Sequence, residues 1–239
     1  MEFNAAYLSG TLALTGALLG QWLNNRYTNQ RENKKYLKEV YQELFSPIIL
    51  DVFAYYDIRT NFRRAHDIKD DIDEEDVINK IHKTIESNIK YAGKELISSV
   101  HRLKRNEYYE DFKGGEEDNS KINLCVAFLE EFLINIRETK VESEKLEKLA
   151  FEYKIKYFIW FLLSDRNIYC EAAMRIMWIF DFDDVNESYY QHLKIRFENV
   201  GRENFLDVLE EELSSKVSSN CMDMFKESFM RSLREGLAY

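Results

Sequence analysis

The 239-residue chain is 45% hydrophobic and 14% aromatic, ample for one substantial core or two small ones, which excludes disorder over most of its length. One proline and eight glycines leave too few turn signals for an all-β fold, so the predicted fold class is all-α. Lys and Arg total 33 against 43 Asp and Glu, a net charge of -10 that argues against bulk nonspecific adhesion to nucleic acid and leaves only local basic sites.

The first predicted element begins in "AAYLSGTLALTGALLGQWL". No charge falls between Phe3 and Asn25, and about 20 such residues cross a hydrocarbon core of roughly 30 Å. A secretory signal would carry a basic n-region and a small-x-small cleavage site, and here only Glu2 precedes the run. Arg26, Arg31, Lys34, Lys35 and Lys38 follow it, which predicts a single-pass cell-membrane protein with its N-terminus out and its body cytoplasmic. Trp22 and Tyr27 stand where an interfacial aromatic belt would place them. The competing reading is a soluble helix with a Gly-rich face, favoured by Asn4, Ser9, Thr11, Thr15 and Gln21.

Ala6, Ser9, Ala13, Gly16, Gly20 and Leu23 are spaced alternately three and four apart. They share one seam, where close backbone approach favours helix association in lipid and makes them the predicted oligomerisation residues. The same count continues through Tyr27, Gln30, Lys34, Leu37, Tyr41, Leu44 and Ile48. It predicts one helix from Ala5 to about Phe45, ended or kinked at Pro47, carrying a coiled-coil-like stripe from bilayer to cytosol. From Leu37 onward, packing on the chain's own body is an equal reading. Thr11 and Thr15 face away from the seam and are the predicted pore-lining residues.

The expected organisation is a transmembrane and membrane-proximal helix over 1–46 and a cytoplasmic helical bundle over 47–239, with a loop break at 113–120. A helix from Pro47 to about His66 is followed by "DIKDDIDEEDVI", which lacks the glycine and terminal glutamate of a calcium loop and reads as a helix N-terminus. Apolar residues from Val77 to Leu103 recur at helical spacing as one long or two short helices. "YFIWFLL" is too short to span and predicts a buried bundle helix. "IYCEAAMRIMWIFDFDD" reads as a strongly apolar helix in which Glu171 and Arg175 pair. The last amphipathic segments, "NFLDVLEEELSSKV" and "CMDMFKESFMRSLREGL", read as packing or oligomer surfaces.

His66, His82, His101 and His192 have no metal-ligand or nucleophile partner at a diagnostic spacing, and Cys125, Cys170 and Cys221 form no CxxC. No phosphate loop, GxSxG or HExxH is present. No catalytic residue, metal or cofactor is therefore expected. An enzyme built around Glu171 or another buried carboxylate is the least supported reading. Two basic clusters are the candidate ligand site: Arg59, Arg63 and Arg64 beside Phe62, and His101, Arg102, Lys104 and Arg105 ahead of Tyr108. Guanidinium groups with neighbouring aromatics suit phosphate contact and base stacking, as for a nucleotide or oligonucleotide. Pairing with internal Asp and Glu is the alternative, and the acidic composition favours it.

The stretch "AAYLSGTLALTGALLGQWLNNR" followed by "KKYLKEVYQELFSPI" resembles the single-span membrane effectors of bacterial antiphage defence, such as the transmembrane effector of the Hailong system, over about a fifth of the chain. The resemblance implies a homo-oligomer, plausibly a tetramer, whose spans form an ion channel that depolarises the host. It also implies that a nucleotide or oligonucleotide controls the cytoplasmic part. The chain departs from that pattern in offering no clearly polar pore lining beyond Ser9, Thr11 and Thr15. The rival expectation is a non-catalytic scaffold or phage-encoded interaction protein that uses the first helix as anchor or oligomerisation arm.

Overall fold

The computed structural model describes residues 2–60, 68–69, 71–110, 115–140, 144–166, 168, 171–182 and 185–236, with side chains from residue 15 onward except 171 and 172. All elements among them are helical, apart from a lone antiparallel bridge between Phe180 and Val217. The all-α expectation holds.

Helix α1 (Glu2–Val40) is 39 residues long, about 58 Å at 1.5 Å per residue. It does not run on as an α-helix to Phe45. Tyr41–Phe45 form a π turn, closed by the Ser46 N–H donating to the Tyr41 carbonyl at 2.8 Å, and Pro47 lies in the turn that follows. Helix α2 (Ile49–Thr60) then restarts the chain in a new direction. The two halves of the heptad count meet different fates. Every described side chain from Thr15 to Tyr36 is exposed, whereas Val40, Tyr41, Leu44, Phe45 and Ile48 are buried. From Leu37 onward the stripe therefore packs on its own body. Phe45 meets the rings of Phe128 and Phe132 edge-on, at 5.3 and 5.7 Å.

The acidic stretch starts helix α3 (Glu74–Ser87), as its pattern predicts. Asp73 is extended and its side chain accepts the Glu75 N–H at 2.9 Å, while Glu74, Glu75 and Asp76 occupy the positive end of the helix dipole. The apolar run of Val77 to Leu103 resolves into two helices, because a 3-10 turn at Ile89–Tyr91 separates α3 from α4 (Lys94–Asn106). That turn fixes the root of α1: the Tyr91 hydroxyl donates to the Glu39 carboxylate, and the Tyr91 ring lies 6.2 Å from Tyr36.

Helix α5 (Glu116–Thr139) and helix α6 (Glu144–Asp165) form the centre of the body. The expected break at 113–120 is narrower than its pattern: residues 113 and 114 lie outside the described set, Gly115 has φ 102°, and α5 is already helical at Glu116. The positive φ at Gly115 is one that a residue with a Cβ rarely adopts. "YFIWFLL" is buried in α6 as expected, with Tyr157, Ile159, Trp160 and Leu163 inside. The segment around Glu171 is not one helix. It breaks into a single turn at Glu171–Met174 and a 3-10 turn at Met177–Ile179, because Phe180 leaves helical geometry to pair with Val217. Helices α7 (Glu187–Glu198) and α8 (Phe205–Ser214) follow. A final run of helical pieces, Met222–Met224, Phe225–Met230 and Arg231–Gly236, buries Phe225, Phe229, Met230 and Leu233 against Phe180 and its neighbours. The terminal amphipathic faces are thus core packing. One continuous core joins Val40 to Leu233, so the end of the 1–46 segment belongs physically to the body.

Candidate functional site

The first basic cluster is drawn inward. Arg59, in the last turn of α2, donates from Nη1 to Glu74 Oε1 at 2.5 Å and from Nη2 to Asp118 at 3.3 Å. Its guanidinium joins the acidic first turns of α3 and α5, where a cation has structural work. Phe62, Arg63 and Arg64 lie outside the described residues.

The second cluster lies on α4 and the turn beyond it. Lys104 bridges Glu107 at 2.9 Å and Glu86 at 3.4 Å, and the hydrogen bond to Glu107 raises its pKa. His101 and Arg105 are exposed on one face, four residues apart, and Tyr108 follows with 74% of its surface exposed. The Arg105 guanidinium covers the ring of Tyr109 at 5.2 Å. Arg102 is half-buried and makes no ion pair with any described residue. The structure therefore divides the predicted ligand residues: Arg59 and Lys104 are engaged by carboxylates, whereas His101, Arg105 and Tyr108 form an exposed strip with Arg102 half-buried beside it.

The predicted assembly residues lie on α1. A Cβ built at Gly16 or Gly20 meets nothing within 4 Å, and Leu23 is exposed. Ala6, Ser9, Thr11 and Ala13 are helical, with side chains outside the described set, and Thr15 is exposed. Leu18, Leu19, Trp22 and Tyr27 expose about 60% of their surface on the same arm. No helix among the described residues is long and apolar enough to cross a membrane. The polar Ser9, Thr11, Thr15 and Gln21 that dilute the run are the physical reason.

Inside the body, buried polar groups are mostly paired. Lys154, only 2% exposed, donates to Glu187 at 3.0 Å and lies over the rings of Tyr190 and Phe151 at 3.8 and 4.4 Å. Burial pulls its pKa down, and Glu187 resists that shift. The Tyr153 hydroxyl lies 2.8 and 2.7 Å from the two oxygens of Asp57, whose pKa burial raises. Cys125 is a fully buried free thiol, pushed up to about 12 by burial, which makes it inert as a nucleophile. The side chain of Glu171 lies outside the described residues, so the expected pairing with Arg175 does too. Among the described residues no group of three His, Cys, Asp or Glu could hold a metal.

Two features escape the sequence reading. Glu131 of α5 accepts the backbone N–H groups of Gly93 and Leu96 at 2.8 and 3.2 Å, capping α4 from another helix. The second is a cleft of about 240 Å³ between α3, α4 and α5, lined in part by the buried His82. Helical spacing carries a signal for it, since His82 stands among Ile78, Ile81 and Ile85 on the apolar face of α3. A further cavity of about 200 Å³ between α4, α5, α6 and α7 has two lining carboxylates, Glu95 and Glu130, of which Glu130 already accepts from Tyr190 at 2.5 Å and Lys194 at 3.1 Å.

No protein-family model matches the chain, and comparison with curated proteins and with solved structures finds no similar one.

Proposed function

We propose that this chain is a homo-oligomeric, non-catalytic effector of bacterial antiviral defence that assembles through α1 and acts at the cell membrane. The body is its control module. Copies associate as tetramers along the seam of Ala6, Ser9, Ala13, Gly16, Gly20 and Leu23, and Thr11 and Thr15 line a conducting path between the spans. The N-terminus lies outside and the body is cytoplasmic. A nucleotide or oligonucleotide binds the strip of His101, Arg102, Arg105 and Tyr108 and governs opening.

The observation that carries this reading is the arm. Leu18, Leu19, Trp22, Leu23 and Tyr27 are exposed on a helix whose described side chains from Thr15 to Tyr36 are all solvent-exposed. A contiguous apolar surface on a slender helix is unfavourable in water and calls for a cover, either further copies or lipid. In an assembly the small hydroxyls would face neighbouring helices, which lowers the cost of a run this polar in a bilayer.

The second reading is a scaffold or phage-encoded interaction protein with α1 as a water-soluble oligomerisation arm. The absence of any described helix apolar enough to cross a membrane favours it. Membrane fractionation, chemical cross-linking and a membrane-potential dye test the two together. The effector reading expects sedimentation with membranes, detergent-dependent extraction of an oligomer, and depolarisation on expression. A cross-linked oligomer that stays in the supernatant leaves the scaffold, and a monodisperse single copy without detergent defeats both.

A further inference from the structure

The cleft between α3, α4 and α5 is richer in hydrogen-bond acceptors than in free donors. On its floor, beside Ile78 and Leu103, His82 is 6% exposed and its Nε2 has no hydrogen-bond partner. Burial lowers the His82 pKa against the pull of Glu86 and Glu107, so the ring is neutral near pH 7, and Nε2 is an acceptor when the proton sits on Nδ1.

Two of the three side-chain amide and ammonium donors that line the cleft are committed, and the third, Asn79, is exposed at its edge. An ammonium group has three N–H bonds to give, and Lys121 Nζ contacts Glu75 Oε1 and Oε2 at 2.8 and 2.9 Å and Glu117 at 2.8 Å. Asn106 Nδ2 donates to Ser120 Oγ at 3.1 Å and to the Glu116 carbonyl at 3.5 Å, which leaves its Oδ1 as the capacity that remains. Glu107 and Glu117 stand exposed at the rim and can only accept. Of the charged side chains that line the cleft, Glu107 and Glu117 stand against Lys121, one negative charge in excess.

We propose that this cleft binds a small primary-amine cation, whose N–H groups donate to His82 Nε2, Asn106 Oδ1 and the rim carboxylates while its alkyl part lies over Ile78 and Leu103. The volume of about 240 Å³ suits a ligand of few heavy atoms. The site goes beyond the anionic ligand of the α4 strip: it lies inside the helix packing, uses other side chains and selects the opposite charge.

Putrescine is the probe. The full-length chain, labelled with nitrogen-15, is titrated while the imidazole nitrogens are followed by NMR, with the His82 signal assigned from its loss in His82→Gln. Tetramethylammonium and inorganic phosphate are titrated in parallel. Putrescine should shift the His82 Nε2 resonance saturably, and neither tetramethylammonium, which has no N–H, nor phosphate should do so. Glu107→Gln, an exposed change that should preserve the helical circular dichroism, should weaken putrescine about tenfold through loss of a charge-assisted hydrogen bond. No saturable shift, an equal response to tetramethylammonium, a response to phosphate instead, or unchanged affinity in Glu107→Gln would each overturn the assignment.

Discussion

The arm and the body obey the same heptad count but opposite rules of burial. Along α1 the positions up to Tyr27, Gln30 and Lys34 face solvent, and from two turns further on Tyr41, Leu44 and Ile48 are sealed against α5 and its neighbours. The periodicity is identical, so what separates the halves is the partner. The body supplies Phe128 and Phe132 to cover its half, and no described residue buries the other. An apolar stripe states that a surface needs a cover, and only tertiary structure states whether the chain provides it.

Substitutions can break or sharpen that contrast. The largest effect belongs to the body: Phe132→Ala, at a fully buried ring that touches Phe45 and Phe128, should cost about 3–5 kcal/mol in denaturant unfolding. Leu19→Ala on the arm should change the same quantity by no more than about 0.5 kcal/mol in the single chain. Equal losses at the two sites would mean that the arm is packed after all.

Next comes the cap that joins α5 to α4. Glu131→Ala frees the N–H groups of Gly93 and Leu96 and should cost about 1–2 kcal/mol, read as a lower melting temperature with helix content intact. Gly93→Ala should cost less than Glu131→Ala, since a Cβ there would lie 2.6 Å from Glu131 Oε1 and displace only the end of a flexible side chain.

A smaller effect is visible only as a slope against pH. Burial lowers the folded-state pKa of His82 below its ordinary 6.5, so the unfolded chain takes up that proton first. The stabilisation from keeping the ring neutral is complete above pH 6.5 and is lost as pH falls toward the folded-state value. Melting curves of His82→Leu should therefore fall less steeply than wild type as the buffer is taken below pH 6.5. Parallel slopes would show that the ring is not held neutral.

The smallest change in single-chain stability is expected on the arm. Gly16→Ile finds open space and should alter unfolding by a few tenths of a kcal/mol at most, about the scale of helix propensity. The proposed assembly predicts that the same variant loses cross-linked oligomer. If the oligomer persists in Gly16→Ile and Gly20→Ile together, the small seam is not the contact.

Much of the fold was legible. Ile78, Ile81 and Ile85 announce α3 by spacing, Asp73 with three following acids announces its start, and the run around Trp160 announces a buried helix. What was not legible depends on contacts distant in sequence. Whether Val77 to Leu103 was one helix or two turned on Glu131, which lies 38 residues beyond Gly93 and caps its helix. The apolar richness around Met174 concealed short turns, because pairing with Val217 outweighs helical propensity there. Of the candidate ligand residues, Arg59 carries no local sign that Glu74 and Asp118 would claim it. The sequence reading noted His82, but the cleft around it needs three helices at once.

The π turn at Tyr41–Phe45 turns the length of α1 into leverage. A rod of about 58 Å clamped at one end magnifies any rotation at the clamp, so a tilt of roughly ten degrees beside Val40 sweeps the far end through about 10 Å. The widened turn, with Pro47 just behind it, is where the backbone departs from regular geometry at that clamp. A displacement of about one ångström at Tyr36, roughly 6 Å from Val40, would thus emerge at the tip as a motion comparable to the width of a helix.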